Sequence, residues 1–171
     1  MNISNNGIEW LKQLEGFVKI NNRHVIYDDA TGQPVPPETP MPHGATIGYG
    51  HLIKPDEKFI YGIDEVMATQ LLRHDVQITE TGVNMAVKRQ ITQHQFDALV
   101  ALAFNIGIGN FKKSTVLKYI NKPDFISRTY PDLESAWMAW NKTQGQTARG
   151  LIKRRRTEWN LFSSGVYETI L

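Results

Sequence analysis

One change of pattern constrains the fold of this chain more than any other feature. Between residues 17 and 53 the sequence reads as short strands, and from residue 63 onward apolar residues recur at helical spacing. In the first stretch, "FVKINNRHVIYDD" is rich in β-branched and aromatic residues, and its "NN" predicts a hairpin turn. "ATIGYGHLI" reads as a further strand, so a small antiparallel sheet is expected there. In the second stretch, Asp64 predicts a cap for a helix with Val66, Met67, Leu71, Leu72 and Val76 on its apolar face, running past Gly82. "TQHQ", Thr92 to Gln95, has the form of a capping box. The helix behind it is expected to bury Phe96, Leu99, Val100, Ala103 and Phe104 and to stop near Gly107. Further helices are expected after Ser114, across "DLESAWMAW", and over residues 148 to 162 with Leu151, Ile152, Trp159 and Phe162 inward.

Strands early and helices late give an α+β chain, not an alternating one. A short helix over residues 6 to 15 precedes the strands, with Asn5 or Asn6 as its cap and Gly16 as a left-handed stop. At 171 residues the chain can bury a substantial core as one domain. There are no cysteines, so disulfides, thiolate nucleophiles and Cys-type zinc sites are excluded. The net charge of +2 is compatible with an anionic partner without requiring one. The N-terminus lacks a basic start followed by an apolar run, and no stretch is apolar enough to span a bilayer. The expected place of synthesis is the cytoplasm, with no stable membrane insertion. One segment stands apart: residues 33 to 43, "QPVPPETPMPH", hold Pro34, Pro36, Pro37, Pro40 and Pro42, five of the eight prolines.

Three residues invite a chemical reading. Glu15 closes an apolar helical run, where the negative end of the helix dipole and its neighbours Leu14 and Phe17 favour the protonated acid. That is the form a general acid must hold, although on spacing alone a solvated helix-end glutamate is the commoner case. Asp28 and Asp29 end a strand, and alternation puts their side chains on opposite faces; "DDATG" is equally a natural turn. Thr46 opens "TIGYG", where Gly48 and Gly50 flank Tyr49 and mark close approach of a ligand or another backbone. A glutamic acid, an aspartate and a hydroxyl beside a small sheet suit glycoside hydrolysis.

The ordered set "LEGF", "YDDATG", "TIGYGH" resembles the phage-type lysozymes, the endolysin muramidases of glycoside hydrolase family 24. The resemblance continues through "DEVMATQLLRHDV", "ITQHQFDALVALAFNIGIGNF" and "GLIKRRRTEWNLF", and so covers nearly the whole chain in order. It implies a lysozyme-like fold: residues 1–62 as a small sheet lobe with its N-terminal helix, 63–86 as a long joining helix, and 87–171 as a larger helical lobe. It implies Glu15 as general acid, with Asp29, rather than Asp28, and Thr46 activating a water for an inverting reaction. It also implies Asn105, Gly48 and Tyr49 as substrate-binding residues and a structural pair between His51 and Asp75. Arg149 is a candidate to approach Glu15. The implied substrate is bacterial peptidoglycan, cut between N-acetylmuramic acid and N-acetylglucosamine, with no cofactor. The enzyme would act on the wall as a monomer after a separate holin breaches the inner membrane. The chain departs from the family at residues 33 to 45, an insertion between the aspartate's turn and the threonine.

Other classes fit less well. His24, His43, His51, His74 and His94 show no metal-ligand spacing, so no metal is expected. "KRRR", Lys153 to Arg156, splays around a helix and reads as a solvated basic surface, not as a nucleic-acid-reading face. A lytic transglycosylase would need no water-activating aspartate, and a non-catalytic peptidoglycan-binding module would need none of the three residues.

Overall fold

The computed structural model describes residues 1–37 and 39–170; Glu38, inside the expected proline-rich insertion, and Leu171 lie outside the described residues. Two compact units are distinguished, Glu15–Asp75 and a second made of Met1–Leu14 with Val76–Leu171. The first helix, α1 (Asn5–Leu14), therefore belongs with the later helices, not with the strands as the sequence suggested. The reason is its apolar face: Ile8, Trp10 and Leu11 are buried, and α1 packs on the central helix α3 (Gln93–Ile106).

The unit Glu15–Asp75 holds two small sheets where one was expected. Strands β1 (Lys19–Ile20) and β2 (Arg23–His24) form a hairpin closed by Asn21 and Asn22, both at positive φ, as the "NN" predicted. Strands β3 (Tyr27–Asp28), β4 (Ala45–Ile47) and β5 (His51–Leu52) form the other sheet. Its register pairs Tyr27 with Thr46, Asp28 with Ala45, and Ile47 with His51. The "TIGYGH" segment is thus a hairpin and not one strand. Gly48 and Gly50 have φ of 65° and 83°, and this left-handed turn is what calls for glycine there. The proline-rich segment is tied down at both ends. Val35 N–H donates to the Ile26 carbonyl (2.8 Å), Asp28 N–H donates to the Gln33 carbonyl (2.9 Å), and Ala45 N–H donates to the Pro42 carbonyl (3.2 Å). Pro34 bridges to Tyr27 along the outer edge of β3, where its missing N–H costs nothing.

Helix α2 (Glu65–Ala86) starts under an Asp64 cap, whose carboxylate accepts from Met67 N–H at 2.8 Å. Its buried stripe is Ala68, Leu72, Val76, Thr79 and Val83; Val66 and Met67, expected inward, are exposed. His51 is buried, with Nδ1 2.8 Å from Asp75 as expected and Nε2 3.0 Å from Glu57, which was not.

In the other unit, the capping box at Thr92 and Gln95 starts α3. Six successive α3 residues, Ala98 to Ala103, are fully buried, so this helix is the core's axis. Around it lie α4 (Ile108–Lys113), which the sequence reading missed, α5 (Thr115–Asn121), α6 (Leu133–Met138) and α7 (Arg149–Ser164). Strands β6 (Lys142–Thr143) and β7 (Gln146–Thr147) add an unforeseen hairpin, turned by Gln144 and Gly145 at positive φ. Trp137, Trp159 and Phe162 pack together with centroids 5.2–5.9 Å apart. Phe104 is only half-buried and Ile152 is exposed, against expectation.

Asp97, wholly buried, clamps the two chain ends. It accepts from Ser4 N–H (3.0 Å), Ser4 Oγ (2.5 Å), Gln93 Nε2 (2.8 Å) and the Tyr167 hydroxyl (2.6 Å). Burial first, and then the bond to Asp97, pushes the Tyr167 phenol up to about 12. Its folded value lies above its ordinary one, so the stability it contributes is intact below about pH 10 and lost as pH rises towards about 12. The melting-temperature gap between the parent and Tyr167→Phe should therefore close over that range; a gap constant with pH would contradict this reading.

Candidate active site

Helix α1 stops at Leu14, so Glu15 lies one residue beyond the helix, half-buried. Gly16 does not take the left-handed conformation expected of a glycine stop. Its carbonyl instead accepts a hydrogen bond from the Tyr27 hydroxyl at 3.2 Å. The Leu14 carbonyl, on the other side of Glu15, accepts from Arg154 Nη1 at 3.3 Å.

Tyr27 and Thr46 are direct cross-strand partners, so their side chains share one face of the β3–β4–β5 sheet. Both are buried, and Thr46 Oγ1 lies 3.5 Å from the Tyr27 backbone carbonyl. The electrostatics of the Tyr27 phenol report its company. Burial pushes its dissociation above the ordinary tyrosine range, the Thr46 hydroxyl opposes that push, and the negative charges of Asp29 and Glu15 reinforce it. The Thr46 hydroxyl lies on the same face as this phenol, and Asp29 and Glu15 bear on it through charge alone.

The two aspartates have different settings. Asp28 pairs with Ala45 on the opposite face, and its Oδ1 accepts from Ala30 N–H (2.8 Å) and Thr31 N–H (3.3 Å). Asp28 is therefore the turn-forming residue. Asp29 lies in the turn that follows and is exposed to solvent.

The other sequence candidates are placed differently. Tyr49 is buried, donates to Glu65 Oε1 at 2.5 Å, and packs edge-on against Phe17 and His24. Its surroundings are those of a packing residue, and Gly48 serves the turn beside it. Asn105 belongs to the helical unit, is exposed, and accepts a hydrogen bond from Arg155 Nη2. Arg149 is exposed at the start of α7.

Sequence reasoning missed the polar heart of α7. Arg155 and Glu158 are fully buried, and the side chain of Arg154 is 10% exposed, so only part of "KRRR" is solvated surface. Glu158 accepts from Arg154 Nε (3.0 Å) and Trp137 Nε1 (3.2 Å) and pairs with Arg155 Nη1 (3.3 Å). Burial pushes its carboxyl above the ordinary glutamate range, against the pull of Arg155 and Arg154. The available signal was the spacing: two arginines three and four residues ahead of a glutamate, on the side of the helix that carries Leu161 and Phe162.

The family model described as Phage lysozyme matches residues 12–158. The endolysin of Bacillus phage B103 is 39% identical over 165 residues, covering 96% of this chain and 55% of its own length. The endolysin of Salmonella phage P22 is 35% identical over 167 residues, covering 96% of this chain and 99% of its own. Among solved structures, the endolysin from Escherichia coli O157:H7 phage FAHEc1 aligns with a TM-score of 0.76 at 31% identity, covering 99% of this chain and 98% of that one. The chain thus spans just over half the length of the Bacillus phage relative.

Proposed function

This chain belongs to the phage lysozyme family, and from that premise we propose that it hydrolyses bacterial peptidoglycan at the β-1,4 bond between N-acetylmuramic acid and N-acetylglucosamine. Glu15 gives its proton to the leaving glycosidic oxygen. Asp29, helped by the Thr46 hydroxyl, takes a proton from a water on the opposite face of the sugar, and that water's oxygen bonds to the anomeric carbon. The configuration inverts, which in this class goes with carboxyl groups about 6.5–9.5 Å apart. The observation that best supports this assignment is that β3 links the three candidates: Tyr27 pairs with Thr46 and bonds the carbonyl next to Glu15, and Asp29 follows the strand. Asp28 is committed to its turn, which supports Asp29 as the base.

The decisive test is mass spectrometry of digested wall, with proton NMR of the first product. Reducing N-acetylmuramic acid ends formed as the α-anomer support the proposal. The β-anomer would overturn inversion, 1,6-anhydro ends would indicate a transglycosylase, and wall binding without product would indicate a binding module. Among variants, Asp29→Asn should lower turnover by about 10²–10⁴-fold. Asp28→Asn keeps a side-chain oxygen for the turn and should stay near the parent rate. The reverse ranking, measured as turbidity loss of wall suspensions, would move the base to Asp28.

Among the described residues, no helix is long and apolar enough to cross a membrane. We propose that a separate membrane-permeabilising protein of the holin type admits the enzyme to the wall from the host cytoplasm, and that it acts there as a monomer.

A further inference from the structure

We propose that Tyr27 is a positioning residue for this hydrolysis: its hydroxyl holds the Gly16 carbonyl and so sets where the Glu15 carboxyl stands relative to Thr46. The proposal rests on the assignment of Glu15 as the proton donor.

Glu15 lies past the last helical residue, so the α1 hydrogen-bond ladder does not carry through it. Gly16 adds no side chain, and a Cβ built there would meet nothing within 4 Å. Packing at that position therefore does little to define the backbone around Glu15. The bond from Tyr27 to the Gly16 carbonyl ties this open position to β3, while Arg154 holds the Leu14 carbonyl before it.

Tyr27 is suited to the task. It is 5% exposed, so its ring is fixed by its surroundings. Its backbone sits opposite Thr46 in the β3–β4 ladder, and its carbonyl faces the Thr46 hydroxyl at 3.5 Å. One residue thus touches both the segment that carries the acid and the residue assigned to the water. Burial also keeps the phenol protonated through the neutral range, so the hydroxyl remains a donor wherever the enzyme works. Tyr27 touches neither sugar nor water in this scheme, and its contribution is distance and angle. Displacing a reacting group by about 1 Å can cost about 10²-fold in rate.

Tyr27→Phe removes the hydroxyl and keeps the ring. Tyr119→Phe is the matched control: the Tyr119 hydroxyl also donates to a backbone carbonyl, that of Tyr130, at 2.6 Å. Rates on soluble, uncrosslinked peptidoglycan strands, taken well below the melting midpoint of each variant, separate position from stability. For Tyr27→Phe, kcat should fall about 10- to 100-fold with KM nearly unchanged, while Tyr119→Phe keeps the parent kcat and KM. The proposal is overturned if Tyr27→Phe keeps the parent kcat, if its defect lies in KM, or if Tyr119→Phe loses kcat equally. Failure of the underlying assignment shows separately, as lysis retained by Glu15→Gln, whatever Tyr27→Phe does. Should Tyr27→Phe not fold, Tyr27→Trp with an unchanged kcat at the folded state's melting plateau would overturn the proposal, and a lowered kcat at unchanged KM would support it.

Discussion

Glu15→Gln should abolish wall lysis, lowering kcat/KM by about 10²–10⁴-fold, the range a positioned general acid contributes. The amide copies the shape of the carboxyl but has no proton to give to the leaving oxygen, so the glycosidic bond must break as an unassisted alkoxide departure. Binding should survive, because the side-chain volume and the half-buried setting are unchanged. Stability should barely move, since Glu15 lies outside the α1 ladder and its removal opens no cavity. Turbidity assays on purified wall, paired with thermal melts, check both halves. Lysis at the parent rate would remove Glu15 from the proton-donor role and with it the mechanism proposed for this site.

The second large effect is on folding. Replacing Glu158 by Ala leaves Arg155, fully buried, and Arg154, nearly so, without their shared carboxylate, and strips the Trp137 indole of its acceptor. Breaking a buried ion pair by deleting one partner costs about 3–5 kcal/mol. In a protein of this size that corresponds to a fall in melting temperature of about 6–20 °C. Glu158→Gln keeps an acceptor for Trp137 but not the charge, and should recover only part of the loss. Urea unfolding of the three proteins decides it. A loss under about 1 kcal/mol, the worth of an ordinary exposed pair, would mean that the arginines find other partners. Because Arg154 also reaches the Leu14 carbonyl, the residual activity of folded Glu158→Gln reports whether that end of α1 has moved.

The elements legible in the sequence were those whose signal is local and chemical. The "NN" turn, the Asp64 cap and the Thr92–Gln95 box each need only neighbouring residues, and each is found where the sequence placed it. The ordered motif set pointed to Glu15, Asp29 and Thr46, and all three fall in the unit Glu15–Asp75, where Asp28 is bound up in its turn. What was not legible depends on partners distant in sequence. Gly16 reads as a helix stop, but Tyr27 takes its carbonyl and makes a left-handed turn unnecessary. "KRRR" reads as solvent-facing because charge usually is, but Glu158 draws two of the four inside. The proline-rich segment reads only as an insertion, but β3 offers it an unpaired edge. Helix α4 is short, and its start at Gly107 has no side-chain cap to announce it.

The helical unit is assembled from both ends of the chain, and this sets the order in which a nascent copy can mature. Glu15–Asp75 is one unbroken stretch, so the pairings of its strands need no residue beyond Asp75. Helix α1 is made earlier still, yet Trp10 packs on Tyr167 and donates to the Glu168 carbonyl, and Ser4 meets Tyr167 on Asp97. These partners lie far along the sequence from α1, 158 residues on in the case of Trp10 and Glu168. The helix that leads into Glu15 is therefore seated by residues made long after it. Folding thus meets its longest loop closure here, which makes the seating of α1 a step of high contact order.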